Sequence, residues 1–225
     1  MISHEHRFIF IHIPKCAGTS IEQVFGHLDS HRGRGGQDHR SLRMLQPAFS
    51  NLHRLHERGN LFEVGRRFKH HLSPNVSNPN NKIQVSPRQY QDYFKFTIVR
   101  NPWARAYSWY RNYIRDPLHK GAAGQSDISF HEFLHQHAGR GMLRSQLYWI
   151  TDYTGRVDMD YIGRFENLNA DFGTICNKIG IETPDLPHKT KGDGADYRDA
   201  YDQANRDLIS TIYQEEIKLF DYAFD

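Results

Sequence analysis

The run Arg7-Phe8-Ile9-Phe10-Ile11-His12-Ile13 breaks at Pro14 into Lys15-Cys16-Ala17-Gly18-Thr19-Ser20, and helix-forming residues follow at once from Ile21-Glu22. Apolar, β-branched and aromatic residues ending at a proline specify a buried strand, and the Gly-Thr-Ser turn specifies a helix start. Strand, tight loop and helix N-terminus within so few residues commit the chain to an α/β arrangement. Such a loop aims backbone N–H groups and the positive end of a helix dipole at one point, which makes an anion site. Lys15 adds a full charge there, while Thr19 and Ser20 add hydroxyl donors and a natural N-cap. The spacing predicts a bound phosphate or sulfate cradled by Pro14, Lys15, Cys16, Ala17, Gly18, Thr19 and Ser20. It is not a Walker A loop, because Lys15 precedes Gly18 and does not stand directly before the hydroxyl residue.

A second segment, Phe94-Lys95-Phe96-Thr97-Ile98-Val99-Arg100-Asn101-Pro102-Trp103-Ala104-Arg105-Ala106-Tyr107-Ser108, repeats the pattern. It reads as a buried strand running into a helix, with Pro102 at the first helical position. Arg100 leaves the strand end and Ser108 follows about two helical turns on. If the two strands are parallel, their C-terminal ends open onto one crevice. Lys15 with Thr19 and Ser20 would hold one anion there, and Arg100 with Ser108 a second. Two anion sites suggest a nucleotide phosphorylated at both ends of its ribose.

Pro-Lys-x-x-Gly-Thr-Ser followed by Arg-Asn-Pro-x-x-Arg-x-x-Ser resembles the paired signature of sulfotransferases that use 3′-phosphoadenosine 5′-phosphosulfate (PAPS). The resemblance is to carbohydrate sulfotransferases of the heparan sulfate 2-O type and their bacterial relatives. It continues through Gly163-Arg164-Phe165-Glu166-Asn167-Leu168 and the closing Phe220-Asp221-Tyr222-Ala223-Phe224. It implies a P-loop-like three-layer fold, a central parallel sheet flanked by helices, and transfer of a sulfuryl group to a hydroxyl on a carbohydrate or glycoconjugate. It also implies that Arg100 and Ser108 hold the 3′-phosphate and that Lys15 stabilises charge on the oxygen bridging sulfur and phosphorus. The latter is an electrostatic task, strongest at the transition state. The product nucleotide would be 3′-phosphoadenosine 5′-phosphate (PAP).

The acceptor hydroxyl needs a general base, and histidine suits that role near neutral pH. In the 2-O type enzymes a His-x-Ser segment lies between the two cofactor motifs. Two segments match it here, His71-Leu72-Ser73 and His39-Arg40-Ser41; the first lies nearer the Arg100 strand at a spacing closer to the family's, so the resemblance implies His71 as the base, doubled by His70, with His39 second. Lys189-Thr190-Lys191-Gly192 is a basic loop, read either as a cover for the cofactor phosphates through Lys189 and Lys191 or as plain surface. Arg105 could equally pair with a carboxylate on its helix surface, and Glu215-Glu216 reads as helix surface. Cys16, near a helix N-terminus, is in surroundings that favour thiolate, but its reading is structural.

His131-Glu132-Phe133-Leu134-His135 matches the zincin pattern, whose two imidazoles share a helix face. A zinc peptidase is therefore one alternative, and a non-catalytic binder of a phosphorylated nucleotide is another. Against the zincin reading, no third ligand is evident, and Phe130, Phe133 and Leu134 form the packed face of an amphipathic helix. The sulfotransferase reading itself calls for no metal.

At 225 residues the chain suits one domain, residues 1–225, with a sizeable core. Its net charge of +3 fits an anionic cofactor and not a dedicated nucleic-acid binder. Two cysteines provide no disulfide framework, which fits a reducing compartment. No apolar run approaches the ~20 residues of a membrane span, and no signal peptide precedes the first strand. These features point to a cytoplasmic enzyme.

The pattern predicts strands at 7–13, 94–99 and 158–165 and helices at 19–28, 87–93, 102–115, 129–138, 142–150, 166–178 and 198–219. Residues 41–57 show near-helical spacing, and Gly180 reads as a helix C-cap. The irregular loops 29–39, 73–87 and 116–128 would choose the acceptor.

Overall fold

The Phe-Ile-Phe-Ile strand offers a bulky side chain to each face in turn, and all four are buried to within 1% of full. A strand buried on both faces belongs inside a sheet covered on both sides. The computed structural model describes residues 1–29, 31, 35–47, 54–57, 59–74, 76–116, 128–187 and 196–224. Its sheet has four strands in the order β1 (Ile2–Ser3), β2 (Phe8–Ile11), β3 (Phe94–Val99), β4 (Tyr161–Arg164). β1 pairs antiparallel with β2, while β2–β3 and β3–β4 are parallel, with Phe10 opposite Phe96. The fold is α/β, as the alternation of strands and helices requires.

The chain divides into two compact units. The first takes Met1–Ile13, Ala17–Val99 and Leu147–Lys189; the second takes Pro14–Cys16, Arg100–Gln146 and Thr190–Asp225.

The first unit holds the sheet. Helices α1 (Gly18–Val24), α2 (Leu42–Leu45), α3 (Asn60–Leu72) and α4 (Pro87–Asp92) lie between β2 and β3 in the chain. On one sheet face the rings of Phe8, Phe10 and Phe96 meet at centroid distances of 5.3 and 5.0 Å, and Phe8 also meets Phe25 at 4.7 Å. Each such burial contributes roughly 1.5–3 kcal/mol before entropy is counted. The helix after β4, Leu168–Ile179, packs on this sheet through Phe172, whose ring lies 6.2 Å from that of Phe25. It ends as the sequence requires, on Gly180 in the left-handed region at φ 75°.

The second unit is helical. Its α5 (Pro102–Arg115) starts where the proline predicts, and the Asn101 side chain caps it by accepting from the N–H groups of Trp103 and Ala104. Its core joins Trp103, Phe133, Leu134, Tyr201, Ile209 and Tyr213. The closing motif packs there too: Phe224 meets Trp103 edge-on at 5.7 Å, and the Arg206 guanidinium sits over its ring.

Several elements differ from the sequence expectations. The first strand and helix are shorter, the latter ending at Val24. The helical spacing of 41–57 yields only Leu42–Leu45, because Pro47 disfavours a helical Gln46 and stops the run; residues 48–53 lie outside those described. The stretch 142–150 separates into a 3-10 turn, Gly141–Leu143, and a helix, Gln146–Ile150. The last helix is broken into Gln203–Ile212 and Gln214–Phe220. Tyr213 at the break is buried, its hydroxyl donating to the Leu143 carbonyl at 2.5 Å and accepting from the Gly139 N–H at 2.9 Å. Asn60–Leu72 has no counterpart in the expectations. It buries Asn60 and Glu63 while exposing Leu61, Phe68 and Leu72, the reverse of the usual amphipathic signal.

Candidate anion and acceptor site

In the second unit, Lys15 sits in the left-handed region at φ 69°. That conformation is costly for a residue with a Cβ and persists only where the surroundings impose it. Four contacts do so. Arg100 donates from Nη1 to the Lys15 carbonyl at 3.2 Å, and Arg105 donates from Nε to the Pro14 carbonyl at 3.0 Å. The Lys15 ammonium reaches the Asn112 side-chain oxygen at 3.4 Å and lies 5.9 Å from the centre of the Trp109 ring. Arg105, Ser108 and Asn112 are spaced three and four apart along α5 and so share one helix face. Arg105 and Asn112 both use that face to contact Pro14 and Lys15, which puts Ser108 on the same side.

Burial, followed by the Arg100 and Arg115 charges, pulls the Lys15 ammonium down to about 8. Its contacts among the described residues are an amide oxygen and an indole face, and none is a carboxylate. A half-buried ammonium beside other cations fits an anionic ligand, and the residues present suit a phosphosulfate.

Arg105 is not a helix-surface partner for a carboxylate. It is 1% exposed and donates to the carbonyls of Pro14, Arg144 and Met142. Glu216 is likewise not surface but fully buried, because the broken last helix turns it inward. It accepts from the Ser145 hydroxyl at 2.6 Å and from the backbone and side-chain N–H groups of Gln146. Burial pushes its carboxyl up despite these donors. Gln146 in turn pairs with both backbone groups of Arg100 at 2.8 Å, and the Cys16 thiol points to the same Gln146 oxygen at 3.5 Å. Sequence reasoning missed Gln146, since nothing about an isolated glutamine signals such a clamp. Cys16 is buried, and its sulfur is in no disulfide among the described residues.

In the first unit, the loop continues through Ala17, also left-handed at φ 63°, which stands at the N-cap position without a side-chain cap. Thr19 and Ser20 are therefore not the N-cap but lie inside the first turn of α1. The Ser20 hydroxyl donates to the Pro187 carbonyl at 2.8 Å. Gly18 is required by its neighbour: a Cβ there would fall 2.0 Å from Cδ2 of His12.

His12 carries the first unit's second candidate group. His39 places Nδ1 3.2 Å from the His12 carbonyl, and the two rings lie 4.3 Å apart. Burial, then the neighbouring His12 charge, lowers the His39 imidazole to about 3. Arg40 donates to Asp38 and to the Ile83 carbonyl, bracing the loop on either side of His39. His71 has other surroundings. It is exposed at the C-terminal turn of α3, where Gln84 lies 3.4 Å from its Nδ1 and the Lys82 ammonium docks on the carbonyls of His70, His71 and Ser73. That is a helix end met by a cation. Among the described residues His71 makes no contact with the loop, whereas His39 is tied to it through His12 and Gly18.

Lys189 and Lys191 lie outside the described residues, as do most of loop 116–128 and parts of loops 29–39 and 73–87. His131 and His135 do share a helix face, their rings 4.4 Å apart, with His131 Nδ1 3.0 Å from the Asn205 side-chain oxygen. Glu132 completes a capping box with Ser129, which accounts for its place in the pattern. No helix among the described residues is long and apolar enough to cross a membrane.

An α/β chain with a strained, lysine-bearing loop and an arginine anchored beside it has the makings of a group-transfer enzyme that handles an anionic donor. The chain belongs to the sulfotransferase family, whose family model matches residues 1–223. Carbohydrate sulfotransferase 14 of Homo sapiens is 27% identical over 208 residues, covering 80% of this chain and 46% of that protein. The Danio rerio protein of the same name is 23% identical over 210 residues, covering 80% and 48%. The chain thus spans about half the length of these relatives. A sulfotransferase structure from Alicyclobacillus acidocaldarius aligns over 95% of this chain and 98% of its own at 17% identity and a TM-score of 0.35. Family membership replaces the zinc-peptidase alternative.

Proposed function

We propose that this chain transfers the sulfuryl group of PAPS to a hydroxyl on a carbohydrate, with His39 as the general base. The observation that carries the reading is Lys15: a half-buried ammonium, in a strained loop, beside Arg100 and without a carboxylate among its described contacts. Bound PAPS would supply an activated sulfuryl group. Lys15 would stabilise the charge that builds on the bridging oxygen, worth most in a water-poor site. Arg100 and Ser108 would hold the 3′-phosphate, for which a guanidinium fork is suited.

For the base, the contacts favour His39 over His71. The His12 carbonyl can only accept, so His39 Nδ1 carries the hydrogen and Nε2 keeps the lone pair that takes the acceptor proton. The carbohydrate acceptor rests on the names of the two relatives.

A screen with sulfur-labelled PAPS tests the reading. Label should pass to a saccharide hydroxyl. Transfer to tyrosine peptides instead would overturn the acceptor class, and tight PAP binding with no transfer at all would leave a non-catalytic nucleotide binder.

A further inference from the structure

One buried ionisable pair has no part in the chemistry above. His12 Nδ1 lies 3.1 Å from a Glu22 oxygen, and the two side chains are 2% and 0% exposed. Burial opposes the Glu22 charge, yet His12 beside it holds the carboxyl below its usual range. The same Glu22 oxygen accepts the Asp38 N–H at 2.9 Å. One carboxylate therefore grips both the strand-end imidazole and the backbone immediately before His39. His39 meets His12 twice, through its Nδ1–H to the carbonyl and through the ring 4.3 Å away at an interplanar angle of 54°.

We propose that Glu22 and His12 are positioning residues for His39, fixing its tautomer through the His12 carbonyl and its charge state through the His12–Glu22 pair. The proposal rests on His39 being the base. A carboxylate with no exposure lies against the His12 ring, and positive charge on that ring would disfavour a second cation on His39. The other charges facing His39 are Asp38 and Arg40 on its own loop and Arg66 of α3, whose Nη2 donates to the His39 carbonyl at 3.3 Å. Trp149, 6.2 Å away, is uncharged. In the transfer step the acceptor O–H breaks and its proton goes to His39 Nε2. The acceptor oxygen bonds to sulfur, and the bridging S–O bond breaks with its electron pair leaving on the nucleotide. Glu22 is the nearby carboxylate that offsets the imidazolium so formed.

Nitrogen-15 NMR of the imidazoles in the free protein tests this. His39 should show the Nδ1–H tautomer and stay neutral well below the ordinary imidazole pKa of about 6.5. Glu22→Gln removes the carboxylate that faces the His12 ring. Burial lowers His39 most and the His12 charge next, ahead of the opposing effect of Glu22, so the His39 titration should move up. His12→Asn should do the same while keeping the backbone carbonyl and hence the tautomer. It serves if Glu22→Gln does not fold, and a native amide spectrum verifies either variant. An Nε2–H tautomer in the native protein, or an unmoved His39 titration in a folded variant, would overturn the proposal. The spectra need no nucleotide, so absence of sulfuryl transfer would count against the proposed function and leave this result standing.

Discussion

Arg100 donates from its guanidinium to the carbonyl oxygen of Lys15 at 3.2 Å, so the proposed 3′-phosphate ligand also braces the left-handed residue whose ammonium is the proposed charge stabiliser. Arg100 is itself held by its backbone, which Gln146 grips at both N–H and carbonyl. The two motifs read as separate anion sites are thus one mechanical unit around residues 14–16 and 100.

Arg100→Ala should erase most of the preference for PAP over AMP. Charge-assisted bonds of this kind are worth about 1.5–3 kcal/mol, so PAP affinity should fall roughly 10- to 100-fold while AMP affinity changes less. Calorimetric titration with both nucleotides checks this. Equal affinities in the native protein would refute the two-phosphate reading.

Nucleotide affinity should depend on pH through Lys15. With its free-state value at about 8, the ammonium is already present below that pH. Above it, binding an anion requires proton uptake, so PAP affinity should decline toward tenfold per pH unit. Lys15→Met should bind weakly and lose that dependence. Titrations between pH 7 and pH 10 in buffers of different ionisation heat read the proton directly.

His39→Ala should lower turnover by roughly 10²–10⁴-fold with little change in PAP affinity. His71→Ala should leave turnover near native. Because His39 in the free protein sits at about 3, kcat/KM should show no acid limb from it near neutrality. An acid limb near the ordinary imidazole value of about 6.5, lost in His71→Ala, would return the base to His71.

Arg105→Met should destabilise the fold by roughly 3–5 kcal/mol, since three carbonyls lose their donor inside the protein. The urea midpoint measures this. A surface arginine would cost almost nothing.

Strong chelators should not abolish activity, and Glu132→Ala should cost no more than one exposed capping-box contact. Stoichiometric zinc in the purified protein, with activity lost on its removal, would contradict this.

Much of the fold was legible because local signals agreed with it. Phe94–Val99 and Pro102–Arg115 lie where alternation, proline and capping place them, and Gly180 ends its helix as a left-handed cap. The paired motifs around Lys15 and Arg100 pointed to the family, since strand-loop-helix chemistry for holding an anion is written in consecutive residues. What failed shares one cause. Tyr213 breaks the last helix for the sake of two hydrogen bonds to residues about 70 positions away. Glu216, read as surface, is buried against Ser145 and Gln146.

The sequence by itself determined where the proposed anion-binding residues are and what they carry: a lysine in a Pro-to-Gly turn, and an arginine at a strand end before a proline-started helix. These depend on neighbours within a few residues, where backbone preference and spacing decide. The sequence set His71 ahead of His39, as nearer the Arg100 strand, and the tertiary structure gives the two histidines different surroundings. The latter puts one histidine on an exposed helix end and the other against His12, with Glu22 behind it. Burial and partner charge come from residues distant in the chain, and they set an imidazole's tautomer and proton affinity, so no local pattern could have supplied them.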